Sequence, residues 1–184
     1  MFRSLIILAA GAVFFASAAL ATPFSGEKTA HLVAADGTRT PVADIVFTPD
    51  GDGASYEIAL REGPFSDHFL SMRPFKCLEG AAKHWCHIAY PYENRRRVTA
   101  ADQTDLEYDL LFIWKGATEY GINMWNGVYY AIEPDGDRLV GRLHEVDMGL
   151  LAAPPAPGDL RPLGADDLHE SDPEGHWLPM LVIE

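Results

Sequence analysis

Through residues 29–60 the hydrophobic and polar positions follow a β-strand pattern. Tyr56, Ile58 and Leu60 alternate with Glu57, Ala59 and Arg61, the period of two that a half-buried strand requires. Asp36-Gly37 places a two-residue turn between residues 29–34 and the segment ending at Val46-Phe47, because both residues tolerate the backbone that a tight hairpin imposes. Asp50-Gly51-Asp52-Gly53 separates the next pair of strands, and Gly63-Pro64 breaks the chain before two further runs at 69–78 and 84–90.

Residues 94–104 form a polar connection. Thr104-Asp105-Leu106-Glu107 then has the order of a capping box. Leu106, Leu110 and Ile113 recur at helical spacing, Lys115 lies in the last turn and Gly116 stands where a helix would stop. The spacing predicts one helix over residues 105–115, although 110–114 is also rich in strand formers. Strands resume at 127–133, turn at Pro134-Asp135-Gly136-Asp137 and return through 138–148.

Beyond Met148 the pattern dissolves. Pro154, Pro155, Pro157, Pro162 and Pro173 are joined by six acids and a single base, Arg161. An extended acidic segment is expected over 151–184, after one β-rich domain over 22–150. Its apolar end, 177–183, is expected to dock back as an edge strand, since Pro179 cannot donate to a central ladder. The fold class is therefore mainly β: an antiparallel sandwich or small barrel with one helix and an extended Pro/Asp-rich C-terminal segment.

Residues 1–21 read differently from the rest. Arg3 precedes an apolar run from Leu5 to Phe15, and Ala19-Leu20-Ala21 has the small-x-small form of a cleavage site. A secretory signal is expected, cleaved after Ala21, with an uncleaved anchor as the alternative and a periplasmic or secreted mature chain as the consequence. In an oxidising compartment Cys77 and Cys86 are expected to pair. Folding the chain about the middle of 78–85 sets them opposite each other, and closing that loop would stabilise the fold by about 2.5–3 kcal/mol.

The chain of 184 residues carries a net charge of −13. Nucleic acid is excluded as a first choice of partner, because binding it requires neutralising phosphates. The local motifs carry little chemistry. His84 and His87 would face opposite sides of a strand, and Asp50–Gly53 lacks the continuation of a calcium loop. Ser66-Asp67-His68 cannot form a hydrolase triad from three consecutive residues. No cofactor or metal is assigned.

Charge distribution is more informative. Arg61, Arg73, Lys76, Lys83, Arg95, Arg96 and Arg97 concentrate positive charge within an acidic chain, and Tyr90-Pro91-Tyr92 directly precedes the arginine triplet. Guanidinium groups beside aromatic rings suit an anionic or aromatic ligand. The candidate ligand-binding residues are Arg95, Arg96, Arg73 and Tyr92, with Trp125 and Tyr129 from the aromatic cluster at 114–130. Alternatively the arginines pair with the chain's own acidic segment from Asp159 to Glu174. The first function reading is a non-catalytic exported domain binding a small or anionic ligand. The second is a protein-interaction or inhibitor module of the cell envelope. The third is an enzyme assembled from His144, Glu145 and Asp147 with His68 or His87.

Overall fold

The computed structural model describes residues 23–70 and 74–184. The expected leader and Arg73 lie outside the described residues. β1 (Gly26–Val33) and β2 (Arg39–Asp50) form the first hairpin. Gly37 takes a positive φ of 85° in its turn, and Ala34 N donates to Thr38 O at 2.9 Å. β3 (Gly53–Leu60) returns beside β2 in unbroken register from Asp50↔Gly53 to Ala43↔Leu60.

Three short strands follow: β4 (Ser66–Phe69), β5 (Pro74–Glu79) and β6 (Lys83–His87). Cys77 and Cys86 are cross-strand partners in the β5–β6 hairpin and are joined by a disulfide, as the chain folding about 78–85 requires. β7 (Arg97–Thr99), α1 (Thr104–Asp109) and β8 (Phe112–Gly116) lead to the long hairpin of β9 (Gly127–Asp135) and β10 (Arg138–Val146). β11 (His169–Glu170) and β12 (Met180–Ile183) complete the sheet.

The strand order is β4-β5-β6-β8-β9-β10-β12-β1-β2-β3-β7, with β11 attached to β10, and the pairings are antiparallel. The path is open, ending at β4 and β7. One cluster nevertheless gathers Tyr56 and Val98 from one end with Leu78 and Trp85 from the other. The sheet must therefore curl around a shared interior, which Leu106 and Leu110 help to fill. A second cluster lies on the opposite face of β5, β6, β8 and β9. There Cys77, Cys86, Ile113 and Tyr129 are covered by Met148, Leu151 and Leu163.

Two expectations are corrected. The helix covers Thr104–Asp109 only, and Phe112–Gly116 is a strand against β6. A helix continued to residue 115 would turn Leu106, Leu110 and Ile113 to one face. Here Phe112 enters the interior and Ile113 the outer cluster, and burying both faces requires the period of two. The C-terminal strand is also not an edge: β12 lies between β1 and β10. Pro179 precedes the strand, where its missing N–H costs no ladder bond, and its carbonyl accepts from Leu143 N at 3.2 Å. Leu181 and Ile183 are fully buried, each contributing roughly 1.5–3 kcal/mol. Among the described residues no helix is long and apolar enough to cross a membrane.

Candidate functional site

The helix α1 carries three carboxylates against the curled sheet, and each is committed to a different element. Asp105, 4% exposed, accepts from Arg161 Nε at 2.8 Å, Arg161 Nη2 at 2.6 Å and the Arg97 backbone N–H at 3.1 Å. Glu107 accepts from Ile132 N at 2.6 Å and from the Tyr129 hydroxyl. Asp109 accepts from the Tyr56 hydroxyl at 2.9 Å and lies 3.3 Å from Arg96 Nε. Burial pushes the carboxyl groups of Glu107 and Asp109 above the usual range, since removal from water penalises the charged form. Burial, reinforced by Asp109, raises the Tyr56 phenol in the same way.

The Asp109 backbone carbonyl meets His87 Nε2 at 3.0 Å. A carbonyl only accepts, so Nε2 carries the proton and Nδ1 keeps a lone pair. Burial lowers the His87 pKa, which favours this neutral form. His87 lines a small cleft of about 270 Å³ together with Leu60, Pro74, Phe75, Lys76 and Ala89.

Residues 90–97 are fixed by a short relay of hydrogen bonds. Asn94 Oδ1 accepts from Arg96 N at 2.8 Å, while Asn94 Nδ2 donates to Asp105 O at 2.7 Å. Arg96 has a φ of 52°, the one positive value at a non-glycine position among the described residues. Such a conformation costs roughly 1–2 kcal/mol. It carries the Arg96 carbonyl to Tyr56 N at 3.0 Å, extending the short β3–β7 ladder by one bond. Gly53 admits that ladder, because a Cβ there would overlap Val98 O.

The three arginines have separate fates. Arg97 clamps the β2–β3 turn through Asp50 Oδ2 at 2.8 Å and Asp52 Oδ1 at 2.7 Å. Arg96 is held at Asp109. Arg95 is exposed and, with Arg142, is one of two described arginines without an ion pair. Arg95 and Arg96 line a cleft of about 310 Å³ with Thr48, Ser55, Tyr56 and Glu57.

No carboxylate of the acidic segment pairs with residues 95–97 among the described residues. The pairing runs the other way: Arg161, the one base of that segment, reaches Asp102 at 2.6 Å and Asp105 at 2.6 Å. Tyr90 and Tyr92 donate their hydroxyls to Leu160 O at 2.9 Å and Leu151 O at 3.1 Å. Tyr92 therefore holds the C-terminal segment. Trp125 is 73% exposed on the 3-10 turn Met124–Asn126, and Tyr129 is buried against Glu107. Neither lines the arginine cleft. Of the six candidate residues the structure brings Arg95 and Arg96 together.

His84 and His87 face opposite sides of β6: the His84 ring is tilted against His68 with centroids 5.1 Å apart, and the His87 ring meets Phe112 edge-on at 5.5 Å. The proposed enzyme constellation also disperses. His144 Nδ1 lies 3.1 Å from Arg142 O, Glu145 lies 2.9 Å from His176 and Asp147 caps Gly149 N at 2.7 Å. Tyr56, His87 and Asp109 were not candidates together, because 31 and 22 residues separate neighbours in that set. Asn94, a residue type prone to side-chain-closed turns, was the one local signal for the bend at Arg96. The chain matches no family model, no curated protein and no solved structure.

Proposed function

We propose that the chain is an exported, non-catalytic binding domain that takes a small carboxylate-bearing ligand at Arg95. The carrying observation is an unpaired guanidinium at the rim of a preformed cleft, on a loop whose geometry is set by Asn94 and Arg96. Neighbouring arginines are neutralised by acids of the chain, so Arg95 retains its charge for an external partner. Glu57 on the same rim disfavours multiply charged anions, which makes a single carboxylate a better fit than phosphate. Export is supported by the leader pattern of residues 1–21 and by the Cys77–Cys86 disulfide, a bond of oxidising compartments.

The test uses butyrate and inorganic phosphate as probes, followed by amide NMR. Butyrate should shift the resonances of Thr48, Tyr56 and Arg95 in a saturable manner, and phosphate should do so more weakly. Arg95→Ala should remove the butyrate response without changing the melting temperature, and added salt should weaken it. A response that survives Arg95→Ala, or no response at all, overturns the assignment.

A second reading, the protein-interaction module, is favoured by one observation. Tyr120 is 98% exposed, Trp125 73% and Leu150 47%, and the 3-10 turns that carry Trp125 and Leu150 are in contact. Large apolar side chains left in water on adjacent turns are a recurrent feature of interaction surfaces.

A further inference from the structure

β3 is half used. Tyr56 N donates to Arg96 O, and Arg61 N donates to Val42 O. In an antiparallel ladder a residue directs both its N–H and its C=O to the same side, and successive residues alternate. Glu57 and Ala59 therefore point their backbone groups at β2, whereas Ile58 and Leu60 point theirs away from it. On that outer edge β7 covers Gly53, Ala54 and Ser55 only. No strand pairs with Ile58 or Leu60 there among the described residues, and β4 and β7 are the two ends of the sheet path.

The edge has chemically distinct ends. At Leu60 lies the cleft in which Pro74, Phe75 and Ala89 supply apolar surface beside Lys76 and His87. At Tyr56 the loop carrying Arg95 and Arg96 closes the edge and lines the other cleft. We infer that the outer edge of β3 from Ile58 to Leu60 takes up an extended peptide of a partner protein, antiparallel to β3, whose C-terminal carboxylate pairs with Arg95. The inference rests on the assignment of Arg95 as a carboxylate site and adds the rest of the ligand.

The direction follows from the sheet. A strand antiparallel to β3 continues the line of β7, so it enters beside Leu60 and ends where residues 94–96 block the edge. Its last residue then lies next to the unpaired guanidinium. The four residue steps from Leu60 to Tyr56 span about 13 Å of strand, so four or five peptide residues fill the edge. Backbone bonds to Ile58 and Leu60 supply affinity that tolerates sequence variation, and an apolar residue near the peptide's start occupies the cleft at Leu60 and His87. The free edge also explains why the protein needs protection there: an exposed edge strand otherwise invites pairing with another copy. Glu57 on the outward face and Arg95 at the end disfavour a flat, apolar self-association.

The probe is acetyl-Leu-Thr-Val-Thr-Val with a free carboxylate, compared with its C-terminal amide, with an amide analogue ending in Glu, and with an analogue N-methylated at every residue. Affinity is read by fluorescence of the labelled peptides, and the site by amide hydrogen exchange. In the free protein Ile58 and Leu60 should exchange faster than Glu57 and Ala59. The acid peptide should slow Ile58 and Leu60 by about tenfold or more, and N-methylation should abolish both protection and binding. The amide should bind about fivefold or more weakly than the acid, with Arg95→Ala erasing that difference. Recovery by the Glu-ended amide identifies a side-chain carboxylate as the group read, overturning the C-terminal assignment. Equal binding of the N-methylated analogue, or no protection at Ile58 and Leu60, overturns the inference while leaving the butyrate result at Arg95 to stand or fall separately. A free protein that sediments as a dimer with both amides already protected overturns it in favour of a second copy.

Discussion

Glu107 and Tyr129 meet inside the protein: the phenol of β9 donates to the buried carboxylate of α1, which also accepts from Ile132 N at 2.6 Å. A helix of six residues cannot sustain itself in water, so α1 exists because such bonds tie it to the sheet. Glu107→Ala would leave a buried phenol and a buried amide without an acceptor, at about 1–3 kcal/mol each. Glu107→Gln keeps an acceptor oxygen for Ile132 N, presents its amide N–H to the Tyr129 hydroxyl, which accepts as well as donates, and removes the penalised charge. The expected order of stability in chemical denaturation at neutral pH is Glu107→Ala far below wild type, with Glu107→Gln close to it.

The pH dependence has two opposing parts. Burial raises Glu107 above 4.5 and Asp109 above 3.8. Their contribution is complete below those unfolded values and is lost as pH rises through the folded ones. Burial lowers His87 and His176 below 6.5. Their contribution is present above 6.5 and is lost as pH falls through the folded values. Stability measured against pH should therefore show wild type gaining on Glu107→Gln as pH falls from neutral. His87→Gln should reduce the loss that begins below 6.5. A constant difference between wild type and Glu107→Gln at all pH values would contradict the buried carboxylate.

Arg161 joins the C-terminal segment to two acids of the body. Arg161→Ala leaves Asp105 buried with a single backbone donor. A cost of about 2–4 kcal/mol is expected, below the full value for a buried pair because Arg161 is itself partly exposed. Limited proteolysis should then cut within residues 152–165 sooner than in wild type. Arg161→Lys should not restore resistance, since a single ammonium cannot reproduce the contacts that one guanidinium makes to both carboxylates.

The Cys77–Cys86 bond joins two strands of only six and five residues. Replacing both cysteines by serine should lower stability by about 2.5–3 kcal/mol from the released loop alone. The effect should exceed that, because Cys77 and Cys86 are fully buried in the outer cluster and a hydroxyl there has no arranged partner. Thermal unfolding with and without reductant measures the first part, and comparison with the double alanine variant isolates the second.

Sequence by itself determined what neighbouring residues decide. Asp36-Gly37 and Asp135-Gly136 set hairpin turns whose glycines take positive φ, and the alternation of Tyr56, Ile58 and Leu60 with Glu57, Ala59 and Arg61 defined β3 and its inward face. The short spacing of Cys77 and Cys86 placed them across one hairpin. Tertiary structure alone decided where α1 ends, because the pattern at Leu110–Trp114 satisfies both periods until a vacant edge of β6 and two apolar clusters select the strand. It alone placed β12 between β1 and β10, since Pro179 excludes a central ladder only if it lies within the strand and not just before it. It alone chose the partners of the charges. Arg97 went to the β2–β3 turn and Arg161 to Asp105, while Arg95 was left unpaired. Ion pairing is set by distance in space, and the curl of the sheet brings residues 50, 97, 105 and 161 together with no trace in their order along the chain.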